Sequence, residues 1–318
     1  MINLGFDEIN QVISVEDLFE PVKQSFIDYS SEKLIAAPIE LFHFSNGGDA
    51  HIKMAAINGY DYFSVKVATM FPGNLQNGIP ATNGAIFLFN ALTGEPTAIL
   101  RDKRLLTDLR TAAAGAVATD FFSHPAADTL TVIGTGKQAY FQCMALSKLR
   151  KLSKIIIYGR NNGHAAQLKE KMERDMPGIQ IFCGEQAESA VRASDMIITT
   201  TSAKEPIIKG SWLRKGQHVT AIGADDAFKK EIDEDCFTMA DHIYVDSLEL
   251  NTNCGEYAGA LAKNPYLQQK TTELGVAFRN NERLSGPGTI TLVKLVGLGV
   301  QDLAACSVVL NKMQFEII

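Results

Sequence analysis

One stretch, Thr129-Leu-Thr-Val-Ile-Gly-Thr-Gly-Lys-Gln-Ala139, constrains the chain more than any other. An apolar run ends at Gly134, Gly136 and Ala139 follow at G-x-G-x-x-A spacing, and helical periodicity begins at once. A buried strand, a tight turn and a helix N-terminus in that order form the pyrophosphate cradle of a dinucleotide-binding unit. Gly134 permits the turn and Gly136 lets the backbone approach the pyrophosphate. Ala139 lets the helix pack close to the strand, and the N–H groups at the helix start, at Lys137 and Gln138, face the anion. Glycines in an ordinary strand–helix turn give the same letters. The strand before and the helix after favour the cradle.

From Thr129 onward, apolar runs alternate with helical segments. The runs are Leu130–Ile133, Lys154–Tyr158, Ile179–Cys183, Met196–Thr200, Val219–Ile222 and Ile243–Val245. Helical patterns intervene, clearest at Gln138–Leu149, His164–Met176 and Glu185–Ala193. Such alternation predicts βαβ units and a Rossmann-type, doubly wound parallel sheet with ligands at the carboxyl ends of the strands. The preceding residues differ. Val15, Leu18, Val22, Phe26 and Tyr29 mark one face of a helix over Ile9–Ser31, with Ser14 as a candidate N-cap. Short strand-like runs follow at Ile39–Phe44, His51–Ile57, Phe63–Met70, Ala85–Phe89 and Pro96–Leu100, several divided by Asn-Gly or Gly-Gly turns. This predicts an α+β unit without parallel pairing. Leu105–Phe122 reads as a helix with a small-residue middle, Ala112–Ala116. Beyond Asn253 the pattern reads as helical and irregular, with Ile290–Leu310 one long helix returning to the N-terminal part. The 318 residues suit two domains. Residues 1–112 with 291–318 are expected to form one domain, and 113–290 a Rossmann dinucleotide-binding domain.

A net charge of −6 argues against a nucleic-acid partner held by bulk electrostatics. The five cysteines (Cys143, Cys183, Cys236, Cys254, Cys306) are scattered, odd in number and without a C-x-x-C pair. They suit reduced thiols and a cytoplasmic location better than a disulfide framework. The N-terminus has early acids and no signal-peptide pattern, and no apolar run is long enough to span a bilayer. The six histidines never stand at i, i+4, so no metal site is expected.

The second parallel strand ends in Tyr158-Gly-Arg-Asn-Asn162. Arg160 stands 24 positions beyond Gly136, about where an NAD site places an acid against the ribose 2′-OH. An arginine there, followed by Asn161, favours a 2′-phosphate and hence NADP(H), with NAD(H) the alternative. At the end of the fourth strand, Thr199, Thr200 and Thr201 would donate hydroxyls to the cofactor or merely cap the strand. Asp225 follows Gly223 at the tip of the fifth strand. It is placed to reach a nicotinamide, or Asp225 or Asp226 is simply a helix N-cap. In the strand over Phe63–Met70, Phe63, Val65 and Val67 share one face and Lys66 lies on the other. Lys66 is therefore either a solvated lysine or a site residue. Arg110 precedes the small-residue stretch. It is either buried, and then needs an anion, or a surface partner of Asp108 or a glutamate.

Together these features resemble the ornithine cyclodeaminase/μ-crystallin family. Four stretches carry the likeness: Val65–Asn74, Leu106–Ala113, Ile133–Ala139 and Ile222–Glu231. The resemblance implies that Lys66 and Arg110 hold a substrate carboxylate, that Asp225 works on the substrate nitrogen, and that Thr111 lies by the cofactor phosphates. It also implies a homodimer formed through the N-terminal sheet. Two departures stand out. Many members carry a further carboxylate-binding arginine before the second strand, where this chain has Ala37-Pro-Ile-Glu-Leu41, leaving His51 or Lys53 as substitutes. Phe228 stands where the family often has glycine. The favoured reaction is NADPH-dependent reduction of the C=N bond of a small imino acid such as pyrroline-2-carboxylate. The alternatives are ornithine cyclodeamination with recycled NAD, and NADPH-dependent ligand binding like that of μ-crystallin.

Overall fold

The computed structural model describes residues 1–253 and 255–313. Cys254 and the expected domain end at 314–318 lie outside the described residues. The chain divides into two units, one built from Met1–Arg110 and the segment beginning at Leu298, the other from Thr111–Gly297.

In the first unit the elements run β1 (Ile2–Gly5), α1 (Phe6–Val12), α2 (Phe19–Tyr29), β2 (Leu34–Ala36), β3 (Ile39–His43), β4 (Asp49–Ile57), β5 (Tyr62–Met70), β6 (Thr82–Asn90) and β7 (Pro96–Arg101). Helix α3 (Leu105–Phe122) begins here and continues past the unit boundary. The sheet order is β1-β7-β6-β5-β4-β2, with β3 also paired to β4. The ladders are antiparallel except β1–β7, which is parallel, contrary to the sequence expectation. The expected helix over Ile9–Ser31 is broken. Ile13 is extended, and the Ser14 N–H and hydroxyl both donate to Asp17 Oδ2, so Ser14 is a donor rather than an accepting cap.

The second unit contains β8 (Thr129–Ile133), α4 (Lys137–Leu149), β9 (Lys154–Tyr158), α5 (Asn162–Asp175), β10 (Gln180–Cys183), α6 (Ala187–Arg192), β11 (Met196–Thr199) and β12 (His218–Ala221). Next come α7 (Glu234–Met239), β13 (His242–Val245), α8 (Leu248–Asn253), α9 (Gly255–Lys263), β14 (Thr271–Glu273), α10 (Leu274–Arg279) and β15 (Thr291–Lys294). All eight strands are parallel, in the order β10-β9-β8-β11-β12-β15-β13-β14. The order reverses between β8 and β11, and this switch point opens the ligand crevice of a doubly wound sheet. Every residue of β11, β12 and β15 is buried, the polar His218, Thr220, Thr291 and Lys294 included.

The long helix expected over Ile290–Leu310 is instead β15 followed by α11 (Gly299–Lys312). Thr291–Lys294 inserts between β12 and β13, and Gly297 and Gly299 flank the break. A short apolar run of this kind fits a buried strand as well as a buried helix, so periodicity alone does not separate them. Helix α11 packs on α2, β4, β5 and β6 of the first unit.

Candidate active site

The cradle and its neighbours surround a cleft of about 240 Å³ at the switch point. It is lined by the ends of β8 (Ile133–Gly136), β9 (Tyr158–Arg160) and β11 (Thr200–Ala203), with Ile207. Gly134 has φ +127°, and a Cβ there would lie 2.5 Å from Thr200 Oγ1. Its N–H donates to Tyr158 O at 2.8 Å. Gly136 caps α4 without a side-chain hydrogen bond, and a Cβ on it would meet nothing within 4 Å. The backbone at the start of α4 can therefore be approached closely at Gly136, which suits a pyrophosphate. Ala139 is fully buried against the strand side of the helix. Gln142 Nε2 donates to Thr111 O at 2.9 Å and lies 3.3 Å from Gln138 Oε1, which ties α3 to α4. Thr111 and Asn161 are not among the residues lining the cleft. Asn161 caps α5, its side chain accepting from the His164 N–H. Arg160 is exposed at the rim and has no hydrogen-bond or ion-pair partner among the described residues.

The three threonines after β11 are all engaged within the protein. Thr199 Oγ1 donates to Glu231 Oε2 at 2.7 Å, Thr200 Oγ1 to Ile133 O, and Thr201 Oγ1 accepts from the Ala203 N–H. Glu231 also accepts from the N–H groups of Thr201 and Gly223, so one buried carboxylate joins the segments after β11 and β12. Burial, then the adjacent Glu256, pushes the Glu231 pKa up. Glu256 in turn accepts from the N–H groups of Glu231 and Ile232. Lys294 Nζ lies 3.7 Å from Glu256 and donates to Ala224 O at 2.5 Å. Asp225 therefore follows a residue whose carbonyl is pinned. Its own carboxylate is exposed and paired with Lys229 at 2.5 Å. No helix starts there. Asp226 instead closes a local turn, accepting from the N–H groups of Phe228 and Lys229. Phe228 is exposed on this loop.

In the first unit, Lys66 and Arg110 come together. Both are buried, with 3% and 4% of their surface exposed. The solvated-lysine reading of the β5 face is overturned: Tyr62, Ser64 and Lys66 are buried beneath α11, while Phe63, Val65 and Val67 are only half-buried. Arg110 makes no surface pair with Asp108. Its Nε donates to Asp302 Oδ1 at 2.9 Å and its Nη1 to Gln301 Oε1 at 2.6 Å. Lys66 Nζ lies 2.5 Å from Asp302 Oδ2. The remaining N–H groups of both cations have no partner among the described residues. Lys53 stands opposite Lys66 in the β4–β5 register and is also buried, whereas His51 lies 3.5 Å from Asp49. Burial, with Arg110 and Lys53, pushes Lys66 down to about 7 although Asp302 acts the other way. Burial acts to raise the Asp302 carboxyl, but Arg110 and Lys66 outweigh it and hold the pKa below the usual range. Buried cationic N–H groups without partners are a site for an anion.

Sequence reasoning missed Asp302, Gln301 and Lys294, and gave Glu231 and Glu256 no role. The usable signal was a lone acid or lysine inside an otherwise apolar segment, since such a group is rarely buried without a partner.

The sequence matches the model of the ornithine cyclodeaminase/mu-crystallin family over residues 3–316. The chain belongs to that family. An uncharacterized cyclodeaminase of Sinorhizobium fredii is 34% identical over 84% of this chain and 81% of its own length. A Δ1-pyrroline-2-carboxylate reductase of Bacillus cereus is 28% identical over 95% of this chain and 94% of its own. Among solved structures, the Δ1-pyrroline-2-carboxylate reductase of Thermococcus litoralis in complex with NADH and L-proline superposes with a TM-score of 0.90 at 26% identity, covering 98% of this chain and 97% of that one. The family membership agrees with the two-part reading of the sequence, a Rossmann-type parallel sheet and an α+β unit. No helix among the described residues is long and apolar enough to cross a membrane.

Proposed function

We propose that this family member is an NADPH-dependent reductase of the C=N bond of a small imino acid, with Δ1-pyrroline-2-carboxylate the first substrate to test. The observation that carries the reading is the buried Lys66–Arg110 cluster, whose remaining N–H groups have no partner among the described residues. A planar guanidinium beside an ammonium suits a carboxylate, and holding the substrate by that group fixes the carbon next to it. Lys53, buried opposite Lys66, is the candidate substitute for the family's missing arginine. Reduced nicotinamide supplies the hydride when bound. The chain's own part is to hold the pyrophosphate at Gly134, Gly136 and the start of α4, with Thr111, Gln138, Thr200 and Thr201 supporting the cradle. Arg160 takes the 2′-phosphate. Asp225, at a strand tip, either favours the iminium electrostatically as a carboxylate or, as a carboxylic acid, delivers the proton to the imine nitrogen.

The half-buried outer face of the N-terminal sheet, with Val65, Val67, Phe87 and Ile99, is an apolar surface of the kind that a homodimer covers. Purified protein mixed with NADPH and Δ1-pyrroline-2-carboxylate should lose absorbance at the NADPH band and yield proline. No loss would reject the substrate. Ammonia and proline formed from ornithine, without net cofactor change, would instead establish cyclodeamination, which the name of the Sinorhizobium relative makes the second reading.

A further inference from the structure

We propose that Asp302, in the first turn of α11, is a positioning residue that holds the Lys66 and Arg110 side chains together as one carboxylate clamp. The inference rests on the reductase reading and deepens it. Asp302 is fully buried and divides its two oxygens, Oδ1 to Arg110 Nε and Oδ2 to Lys66 Nζ. Neither oxygen is left for a substrate, and a carboxylate would repel an anionic one, so Asp302 acts through its two partners. Its neighbour Gln301 fixes the second contact. Gln301 Oε1 accepts from Arg110 Nη1 at 2.6 Å and from the Leu298 N–H at 3.1 Å, which the amide's nitrogen end could not do. Arg110 is thereby held at two points, and its other N–H groups are the ones left for a ligand.

The need for such a residue follows from the charges around Lys66. Arg110 on α3 and Lys53 on β4 repel its ammonium, and burial removes the water that would otherwise hold the proton. Asp302 on α11 is the carboxylate in contact. Asp102, ahead of α3, is occupied by the Leu106 N–H, and the Cys306 thiol is kept neutral by burial. Arg110 does not lose its proton in a protein, so the labile half of the clamp is Lys66. Without Asp302, Lys66 becomes neutral at lower pH and Arg110 loses its orientation.

The test uses the full chain. KM and kcat for Δ1-pyrroline-2-carboxylate are measured from pH 5.5 to 9 for the wild type, Asp302→Asn and Asp302→Glu, with NADPH affinity followed by fluorescence. Asp302→Asn should raise KM at pH 7.5 by about tenfold or more, the scale for truncating one partner of a buried charge pair. It should recover as pH falls, leave NADPH affinity unchanged, and be largely rescued by Asp302→Glu. A wild-type KM and pH profile in Asp302→Asn overturns the assignment while the reductase reading stands. A wild type that neither reduces the imino acid nor binds L-proline overturns that reading and the clamp with it. If Asp302→Asn does not fold, Lys66→Met and Lys66→Met/Asp302→Asn are compared by L-proline affinity. The double variant should bind L-proline more weakly than Lys66→Met with NADPH affinity unchanged, because Arg110 loses its Asp302 contact, and equal L-proline affinity in the two overturns the proposal.

Discussion

Replacing Arg160 by alanine separates the two nicotinamide cofactors. The side chain sits at the rim of the cleft after β9, is exposed, and has no partner among the described residues, so its removal unpairs nothing. Substitutions at such surface positions alter stability by no more than about 0.5 kcal/mol, and the melting temperature should stay put. The effect on binding is larger. Two unit charges at about 4 Å attract by about 1 kcal/mol in water and about 4 kcal/mol near a protein surface of effective dielectric 20. Hydrogen bonds to a charged group contribute about 1.5–3 kcal/mol. Because Arg160 is exposed, the expected loss for a 2′-phosphate is about 1.5–3 kcal/mol, or roughly tenfold to a hundredfold in Kd. NADH lacks that phosphate and should change by no more than about twofold, since the pyrophosphate cradle at Gly134 and Gly136 is untouched. Protein-to-nicotinamide energy transfer, titrated with each cofactor, measures both constants. Equal weakening of NADPH and NADH, or a wild type that already prefers NADH, would refute the reasoning. The Thermococcus relative was solved with NADH, so the family does not decide the matter and the residue must.

Three further outcomes follow from the same geometry. Asp225→Asn should lower kcat by about a hundredfold or more while leaving NADPH affinity intact; unchanged turnover in a steady-state assay would remove the residue from the chemistry. Glu231→Gln turns an N–H donor toward the Thr201 or Gly223 N–H, with an expected cost of about 1–3 kcal/mol read from thermal unfolding, and an unchanged melting temperature would contradict it. The Lys66 pKa near 7 gives two opposite pH trends. Charge on the clamp is lost as pH rises through about 7, so kcat/KM should fall there, and Lys66→Arg should abolish that limb. The unfolded lysine keeps its proton up to the ordinary value of 10.5, so between the two values the unfolded state binds more protons and stability should rise with pH. A kcat/KM profile identical in wild type and Lys66→Arg would sink the assignment.

The Rossmann part was legible because its signals are local. A strand, a G-x-G-x-x-A turn and a helix start are contiguous, and the central strands β8 and β11 are buried along nearly their whole length, so each reads as an apolar run. Arg160 was legible for the same reason, since its distance from the glycines is set by one βαβ unit. Where the signals were ambiguous, the reading failed. Thr291–Lys294 is as apolar as the helix after it, and only its place between β12 and β13 makes it a strand. Ile2–Gly5 is too short to announce a strand and gains its identity from pairing with β7.

Lys66 and Arg110 mark the line between the two sources of information. Alternation along β5 correctly set Lys66 apart from Phe63, Val65 and Val67, because side chains alternate across any strand. It could not say which face is covered, since that depends on a helix that begins more than two hundred residues later. The sequence alone marked the strand–turn–helix cradle, Arg160 as the candidate cofactor reader, and Lys66 and Arg110 as candidate carboxylate ligands. Tertiary structure decided that two cations share Asp302 and lie under α11, because burial and ion pairing are relations between distant segments, which no local pattern encodes.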